Sequence, residues 1–370
     1  NLTYEQLNLQ ASIFAAHLAQ NTTVGPEMIV PLCFEKSLWT TVAMLGVMKT
    51  GAAFVLLDPS SQPAHRMQGI CKQVNAKFVV CSKSCVPNFE QLPGTSTFIL
   101  DDQILDEVQS SQHLISGHGL LPPTHKNSLY VVFTSGSTGQ PKGIVIEHGG
   151  YAITALARQS TLGLHRGSRV LQFASYAFDV SIENTLDTLI AGGCVCVPSE
   201  LQRKTDFARI ADEFQVTYAD LTPSVARLLS PSDIPTVKTM VLGGEAMANE
   251  DVKRWASEVR LVNAYGPAEC AVTATVQHVR AVGTCSNADA SKIGRTFPTA
   301  GTWVVDQSDH QRLLPIGLTG ELVIEGPLVG RGYLNCGNES SRSTTFLQDQ
   351  PSWRSQFSSF LGPMISRMYC

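Results

Sequence analysis

The chain is poor in charge: Asp, Glu, Lys and Arg make up 16% of its 370 residues, and the formal net charge is only −4. With no basic excess, it carries no electrostatic footprint for nucleic acid or an anionic lipid surface. Aromatic residues are sparse at 7%, and the 4 Trp and 8 Tyr fall singly, so core packing is their default use. No apolar run is long enough for a bilayer helix; the longest, near Met44–Leu57 and Leu189–Pro198, are broken or short. The first twelve residues are polar with helical spacing and do not resemble a signal peptide. Repeats and low-complexity stretches are missing, and a hydrophobic content of 43% excludes a disordered, collagen-like or coiled-coil chain. The 10 cysteines form no C-x-x-C. Pairs such as Cys81/Cys85 and Cys194/Cys196 sit among apolar residues and read as buried free thiols of a reduced, cytoplasmic protein. The 9 histidines lack ligand spacing, and no H-E-x-x-H or paired Cys/His cluster is visible.

What is present is an alternation of strand-like and helix-like segments. Ala53–Leu57, Lys77–Cys81, Leu129–Phe133, Val170–Phe173, Cys194–Val197, Thr217–Leu221, Thr239–Leu242 and Arg260–Val262 read as strands. Tyr4–Ala19, Leu38–Lys49, Ser181–Ile190, Phe207–Glu213 and Asn249–Ser257 read as helices. This pattern predicts an α/β fold with doubly wound, mostly parallel sheets. From about Ile293 the texture changes to short β-runs with Gly and Pro, Thr302–Asp306, Glu321–Glu325 and Arg331–Leu334, predicting a small β-rich unit. The expected division is 1–165 and 166–292 as two α/β subdomains, 293–336 as a β-rich, barrel-like one, and 337–370 as an irregular tail.

The most informative segment is LYVVFTSGSTGQPKGIVI, residues 129–146. A β-branched strand enters a loop with three glycines and four hydroxyls, and Lys142 closes it. Such glycines let successive N–H groups converge on an anion, and Lys adds a point charge suited to a polyphosphate. A Walker loop is excluded because Pro141 and Gly143 flank Lys142. A nucleophile elbow is excluded because neither Ser135 nor Ser137 has Gly two residues before it.

TSGSTGQPKG resembles the signature of the adenylate-forming superfamily of acyl-CoA synthetases, luciferases and adenylation domains of nonribosomal peptide synthetases. LTYEQL (2–7), MKTGAAFVLLDPS (48–60), FDVS (178–181), NAYGPAE (263–269) and GELVIEGPLVGRGYL (320–334) narrow the likeness to the peptide-synthetase branch. GGCVCVPSE and the GPAE variant are similar to fungal members. The resemblance implies two doubly wound sheets sandwiched with helices, and ATP-dependent formation of an aminoacyl-AMP with release of pyrophosphate. The product is then transferred to a phosphopantetheine thiol on a partner carrier protein, next to a condensation domain. It implies roles residue by residue. The loop Thr134, Ser135, Gly136, Ser137, Thr138, Gly139 and Lys142 holds phosphates, and Glu269 with Thr134 places Mg²⁺. Gly243, Gly244, Glu245, Asn263, Ala264, Tyr265 and Gly266 surround adenine, with Tyr265 stacking on it and Asn263 bonding its edge. Lys142 and Glu269 are the catalytic pair. Ala268 stands where Thr is commoner, removing a hydroxyl near the α-phosphate.

By the same likeness Asp179 pairs with the substrate α-amino group. Asp179, Val180, Glu183, Asp220, Val241, Gly243, Ala264, Val272 and Thr273 line the amino-acid pocket. Glu183 and Asp220 are its two side-chain carboxylates. Buried without a cation they would raise each other's pKa, so a basic amino acid such as ornithine, lysine or arginine is expected; the alternative is that one of the two points elsewhere or pairs with a cation of the protein. Two other readings stay open: an acyl- or aryl-CoA ligase, and an ATP- and amino-acid-binding fragment without turnover. The second is open because the ribose-binding Asp and the Lys-bearing small C-terminal subdomain of the family are not found before Cys370.

Overall fold

The computed structural model describes residues 1–103, 123–134, 141–280, 290–334, 345–347, 350–357 and 367–370. Two seven-stranded sheets and one five-stranded sheet organise them. Across the first sheet the order is Gly332–Tyr333, Lys142–Glu147, Ser128–Thr134, Ala53–Leu57, Ile29–Cys33, Phe78–Cys81 and Ser96–Ile99. The last five run parallel, and the first two are antiparallel additions. Parallel strands covered on both faces are apolar throughout, and Ile29–Cys33 and Ala53–Leu57 are buried at every position. The second sheet runs Arg295–Thr296, Thr275–Val279, Arg260–Tyr265, Thr239–Leu242, Tyr218–Leu221, Arg169–Leu171 and Cys194–Cys196, again parallel except for the first two. The α/β expectation with two mostly parallel sheets therefore holds. The third sheet is antiparallel: Asp309–Leu313, Gly301–Asp306, Glu321–Glu325, Met368–Tyr369 and Phe346–Leu347.

Local chemistry fixes the helices that bring the sheets together. Thr3 caps helix Tyr4–Asn21 by accepting from the Gln6 N–H, and the Gln6 side chain accepts from the Thr3 N–H. Helix His148–Leu162 packs on the first sheet, helix Val180–Ile190 packs on the second, and the two helices pack on each other. One apolar cluster runs through this seam, joining Tyr130, Ile144 and Tyr151 to Ile182 and Leu186. Among the described residues no helix is long and apolar enough to cross a membrane.

Three expectations need correction. The segment 293–336 does not keep to itself, because Gly332–Tyr333 pairs with Lys142–Glu147 in the first sheet. Two short strands, Phe346–Leu347 and Met368–Tyr369, come from the tail that the sequence left without structure. They have two residues each, too few to carry a period. Cys81, Cys85 and Cys196 are buried free thiols as expected, but Cys194 is exposed where the edge strand Cys194–Cys196 begins.

Candidate active site

The C-terminal ends of the parallel strands in the second sheet open onto a cavity of about 450 Å³. That is where an open α/β sheet presents loops to a ligand. Asp179, Val180, Asp220, Gly243, Ala264, Val272 and Thr273 reach its wall, and so do Gly244, Glu245, Tyr265 and Gly266. A second cavity of about 390 Å³ shares Gly244, Glu245, Ala264, Tyr265 and Gly266 with the first and adds Asn263. Tyr265, 40% exposed, thus borders both spaces.

Two predicted pocket residues do not reach the wall. Val241 is a buried strand residue, in register with Asp220 on one side and Val262 on the other. Glu183 lies behind Thr273, whose hydroxyl donates to Glu183 Oε1 at 3.2 Å. Glu183 Oε2 faces the Arg158 guanidinium, 3.4 Å from Nε. The premise of two carboxylates without a cation therefore fails for Glu183. Arg158 is fully buried; it bonds Asp187 through Nε at 2.7 Å and through NH2 at 3.0 Å, and donates to the Ala271 carbonyl at 2.5 Å. Tyr151 OH completes the set on Asp187 Oδ1 at 2.7 Å. Nothing in the spacing of Arg158, Glu183 and Asp187 announces this cluster. It exists because two helices from different sheets face each other.

The carboxyls divide by environment. Asp220 has no hydrogen-bond partner among the described residues, and burial, then the nearby Glu183 and Asp179, push its pKa well above the carboxylate range. Burial also raises Asp179, to about 6, against N–H donation from Val180 and its own backbone. Asp179 stands at the start of helix Val180–Ile190 with helical backbone angles and no side-chain capping bond, so the helix engages its carboxylate only through the first N–H, that of Val180. Glu183 is raised chiefly by burial, which Arg158 opposes and Asp187 reinforces.

The wall after the Tyr265 strand is built on an unusual turn. Ala271 and Val272 have φ of 49° and 79°, left-handed values costly for residues with a Cβ. Val272 folds back so closely that a Cβ on Gly266 would lie 1.9 Å from the Val272 carbonyl oxygen. Gly266→Ala is therefore expected to lower the unfolding free energy by about 1–3 kcal/mol or displace the turn, read from its denaturation midpoint.

At the phosphate loop, Thr134 ends one strand opposite Lys142, which begins the next. Ser135, Gly136, Ser137, Thr138 and Gly139 lie outside the described residues. Tyr333, not singled out from the sequence, links the two expected catalytic side chains. Its hydroxyl donates to Glu269 Oε1 at 2.7 Å, and Lys142 Nζ lies 5.3 Å from its ring centroid. Glu269 is buried on a short turn after Pro267, and a carboxylate is a hard oxygen donor of the class that Mg²⁺ accepts. Asn263 differs from expectation: its amide NH₂ donates to the Ala290 and Lys292 carbonyls at 3.3 and 2.9 Å, leaving the side-chain oxygen for a ligand. Glu245 is tied to Ser224, accepting from its N–H at 3.0 Å. Arg203, also missed, borders the cavity over the Phe173 ring and is held by Glu200. Far along the chain, His310 Nε2 meets Glu321 Oε2 at 3.1 Å and Cys370 Sγ at 3.5 Å, a Cys/His group that sequence spacing did not disclose. Those separations are hydrogen-bond lengths.

A family model described as AMP-binding enzyme matches residues 1–334. The D-lysergyl-peptide-synthetase subunit 2 of Epichloe festucae var. lolii is 46% identical over 360 residues, 96% of this chain and 26% of that protein. The nonribosomal peptide synthetase fmqA of Aspergillus fumigatus is 44% identical over 368 residues, 99% of this chain and 9% of that protein. This chain thus spans about a quarter or less of these two relatives. Among solved structures, a four-domain nonribosomal peptide synthetase bound to AMP and glycine superposes with a TM-score of 0.78 at 23% identity. That match covers 100% of this chain and 26% of the other. The N-terminal subdomain of Klebsiella oxytoca NpsA, in complex with 3-hydroxyanthranilyl-AMSN, gives 0.78 at 22% identity, covering 100% of this chain and 88% of that one.

Proposed function

Because the chain belongs to the AMP-binding enzyme family, we propose that it activates an α-amino acid with ATP, as the adenylation region of a nonribosomal peptide synthetase. The observation that carries this reading is the single cavity wall that holds both Asp179 and Tyr265. A buried carboxylate without a side-chain capping bond suits a substrate ammonium, and a flat ring two loops away suits a purine. In the reaction a substrate carboxylate oxygen attacks the α-phosphorus of ATP. The bond from that phosphorus to the oxygen bridging to the β-phosphate breaks, and pyrophosphate leaves with the electron pair. No covalent intermediate on the protein is needed, so the side chains serve by positioning and charge neutralisation.

Asp179 orients the amino acid through its ammonium, with the side chain directed toward Asp220. Lys142, steadied over Tyr333, meets the phosphates together with the loop 134–139. Glu269 and Thr134 would hold Mg²⁺, which when bound neutralises charge on the phosphates. Transfer of the aminoacyl group to a carrier-protein phosphopantetheine, beside a condensation domain of the same synthetase, follows from the same reading. Asp220 alone now carries the preference for a basic side chain such as that of ornithine, lysine or arginine. An acyl- or aryl-CoA ligase has no comparable use for Asp179.

The test is binding of a non-hydrolysable ATP analogue by calorimetry. Lys142→Ala with Tyr265→Ala is expected to weaken it at least tenfold, since a phosphate cation and a base-stacking ring are removed together. Unchanged affinity would overturn the site.

A further inference from the structure

The cavity wall has a second layer, and its chemistry bears on which side chain is accepted. Resting on the amino-acid activation proposed above, we infer that Arg158 is a resident counter-ion for the side-chain pocket. It answers the charge of Glu183 from behind the wall, so that selection for a positively charged substrate passes through Asp220 alone.

The geometry divides the two carboxyls. Asp220 lies on the cavity wall with no partner among the described residues. Glu183 is off the wall, with one oxygen accepting from Thr273 and the other 3.4 Å from Arg158 Nε. That second oxygen is fully enclosed and accepts no hydrogen bond, because the Nε hydrogen is committed to Asp187 at 2.7 Å. A substrate cation placed at Glu183 would therefore sit beside a guanidinium already there, and like charges in a dry site repel strongly. Asp220 has no cation paired to it among the described residues: Arg203, on the same wall, is paired with Glu200 instead. The described charged groups around Asp220 are Asp179 and Glu183 on the helix and its start, with Arg158 behind Glu183, and on the same cavity wall Arg203, paired with Glu200, and Glu245, held by Ser224. With Asp179 assigned to the α-ammonium and Glu245 held by Ser224, Asp220 is the wall carboxyl left for an amino acid whose side chain ends in one positive group.

Arg158 is a positioning residue in this scheme, acting through Glu183 and through the Ala271 carbonyl at 2.5 Å, which precedes the wall residues Val272 and Thr273. A merely structural Arg158 would leave charge selectivity untouched, so selectivity is the readout.

The experiment compares two non-hydrolysable aminoacyl-adenylate analogues, lysyl- and norleucyl-sulfamoyl adenosine, by calorimetry on this chain. The side chains differ by a terminal ammonium. The unaltered protein is expected to prefer the lysyl analogue at least tenfold. Asp220→Asn should bring that ratio near one, and Glu183→Gln should keep it within about threefold of the unaltered value. Arg158→Met combined with Asp187→Asn removes the cation and one anion together and strips Glu183 of its counter-ion, so the lysyl preference should rise. Collapse of the ratio in Glu183→Gln as in Asp220→Asn would overturn the counter-ion role while leaving amino-acid activation standing. Equal or tighter binding of the norleucyl analogue by the unaltered chain would overturn the inference as well. Failure of both analogues to bind would instead defeat the proposed function.

Discussion

Arg158→Met is expected to lower the unfolding free energy by about 3–5 kcal/mol, the usual consequence of removing one member of a buried ion pair. The guanidinium is fully enclosed and makes three hydrogen bonds, two to Asp187 and one to the Ala271 carbonyl. Methionine fills much of the space but answers none of these acceptors. Asp187 would retain only the Tyr151 hydroxyl, and Glu183 only Thr273. Both carboxyls sit at the seam between helices His148–Leu162 and Val180–Ile190, so their unmet charge falls where the two sheets join. The left-handed Ala271–Val272 turn also loses its tether, and a turn held against a cost of about 1–3 kcal/mol per residue needs one. Urea denaturation of both chains measures the effect. A loss below about 1 kcal/mol would mean that the cluster is solvated and not the closed network described. Adding Asp187→Asn removes the partner charge, and the double variant should recover only the part of the loss owed to Asp187, because Glu183 and the Ala271 carbonyl stay unanswered.

How much of this was legible in the sequence depends on how local each feature is. Ala53–Leu57 and Thr239–Leu242 were readable because a doubly covered strand is a continuous apolar run. Helix Tyr4–Asn21 was readable from its helical spacing to within two residues at its end. The central strand Ile29–Cys33 escaped because Pro31 argues against a central position. It is tolerated since the strand pairs with Ala53–Leu57 along its whole length but with Phe78–Cys81 only from Leu32 onward. Helix His148–Leu162 opens with two glycines, which weaken its periodic signal. At the site, Asp179 and Tyr265 stood out through motifs. The Arg158 partner of Glu183 did not, because their pairing is a product of helix–helix packing. The left-handed Ala271–Val272 turn was hidden for a related reason: it contains neither Gly nor Asn, the residues that mark such backbone. Asn263 looked free for a base edge until the carbonyls of Ala290 and Lys292 claimed its NH₂.

For Asp179→Asn, affinity for an aminoacyl-adenylate analogue is expected to fall at least about thirtyfold, with binding of an ATP analogue held within about threefold. A buried carboxylate meeting an ammonium forms a charge-assisted bond whose loss costs about 2–5 kcal/mol. The helix meets this carboxylate only with the Val180 N–H, which an amide oxygen can still accept, so the substitution should not unfold the protein. The pH dependence is equally specific. Burial raises the Asp179 carboxyl from 3.8 to about 6, so in the empty site the neutral form persists to higher pH than in the unfolded chain. An ammonium ligand needs the ionised form. Affinity should therefore be flat from pH 7 to 8 and fall below about 6, approaching tenfold per pH unit as a proton must leave on binding. The neighbours acting on this carboxyl are Glu269, which raises it further, and Arg158, which opposes the rise. The stability effect has the opposite sense to that of a salt-bridged carboxylate. A raised acid binds more protons folded than unfolded, so its contribution is greatest below about pH 4 and is lost as pH rises through about 6. Asp179→Asn should remove that dependence and leave the variant at least as stable as the parent at pH 8, while abolishing the acid-side loss of affinity. An acid limb that persists in Asp179→Asn would assign the titration to another group, and undiminished analogue binding would remove Asp179 from the ammonium site.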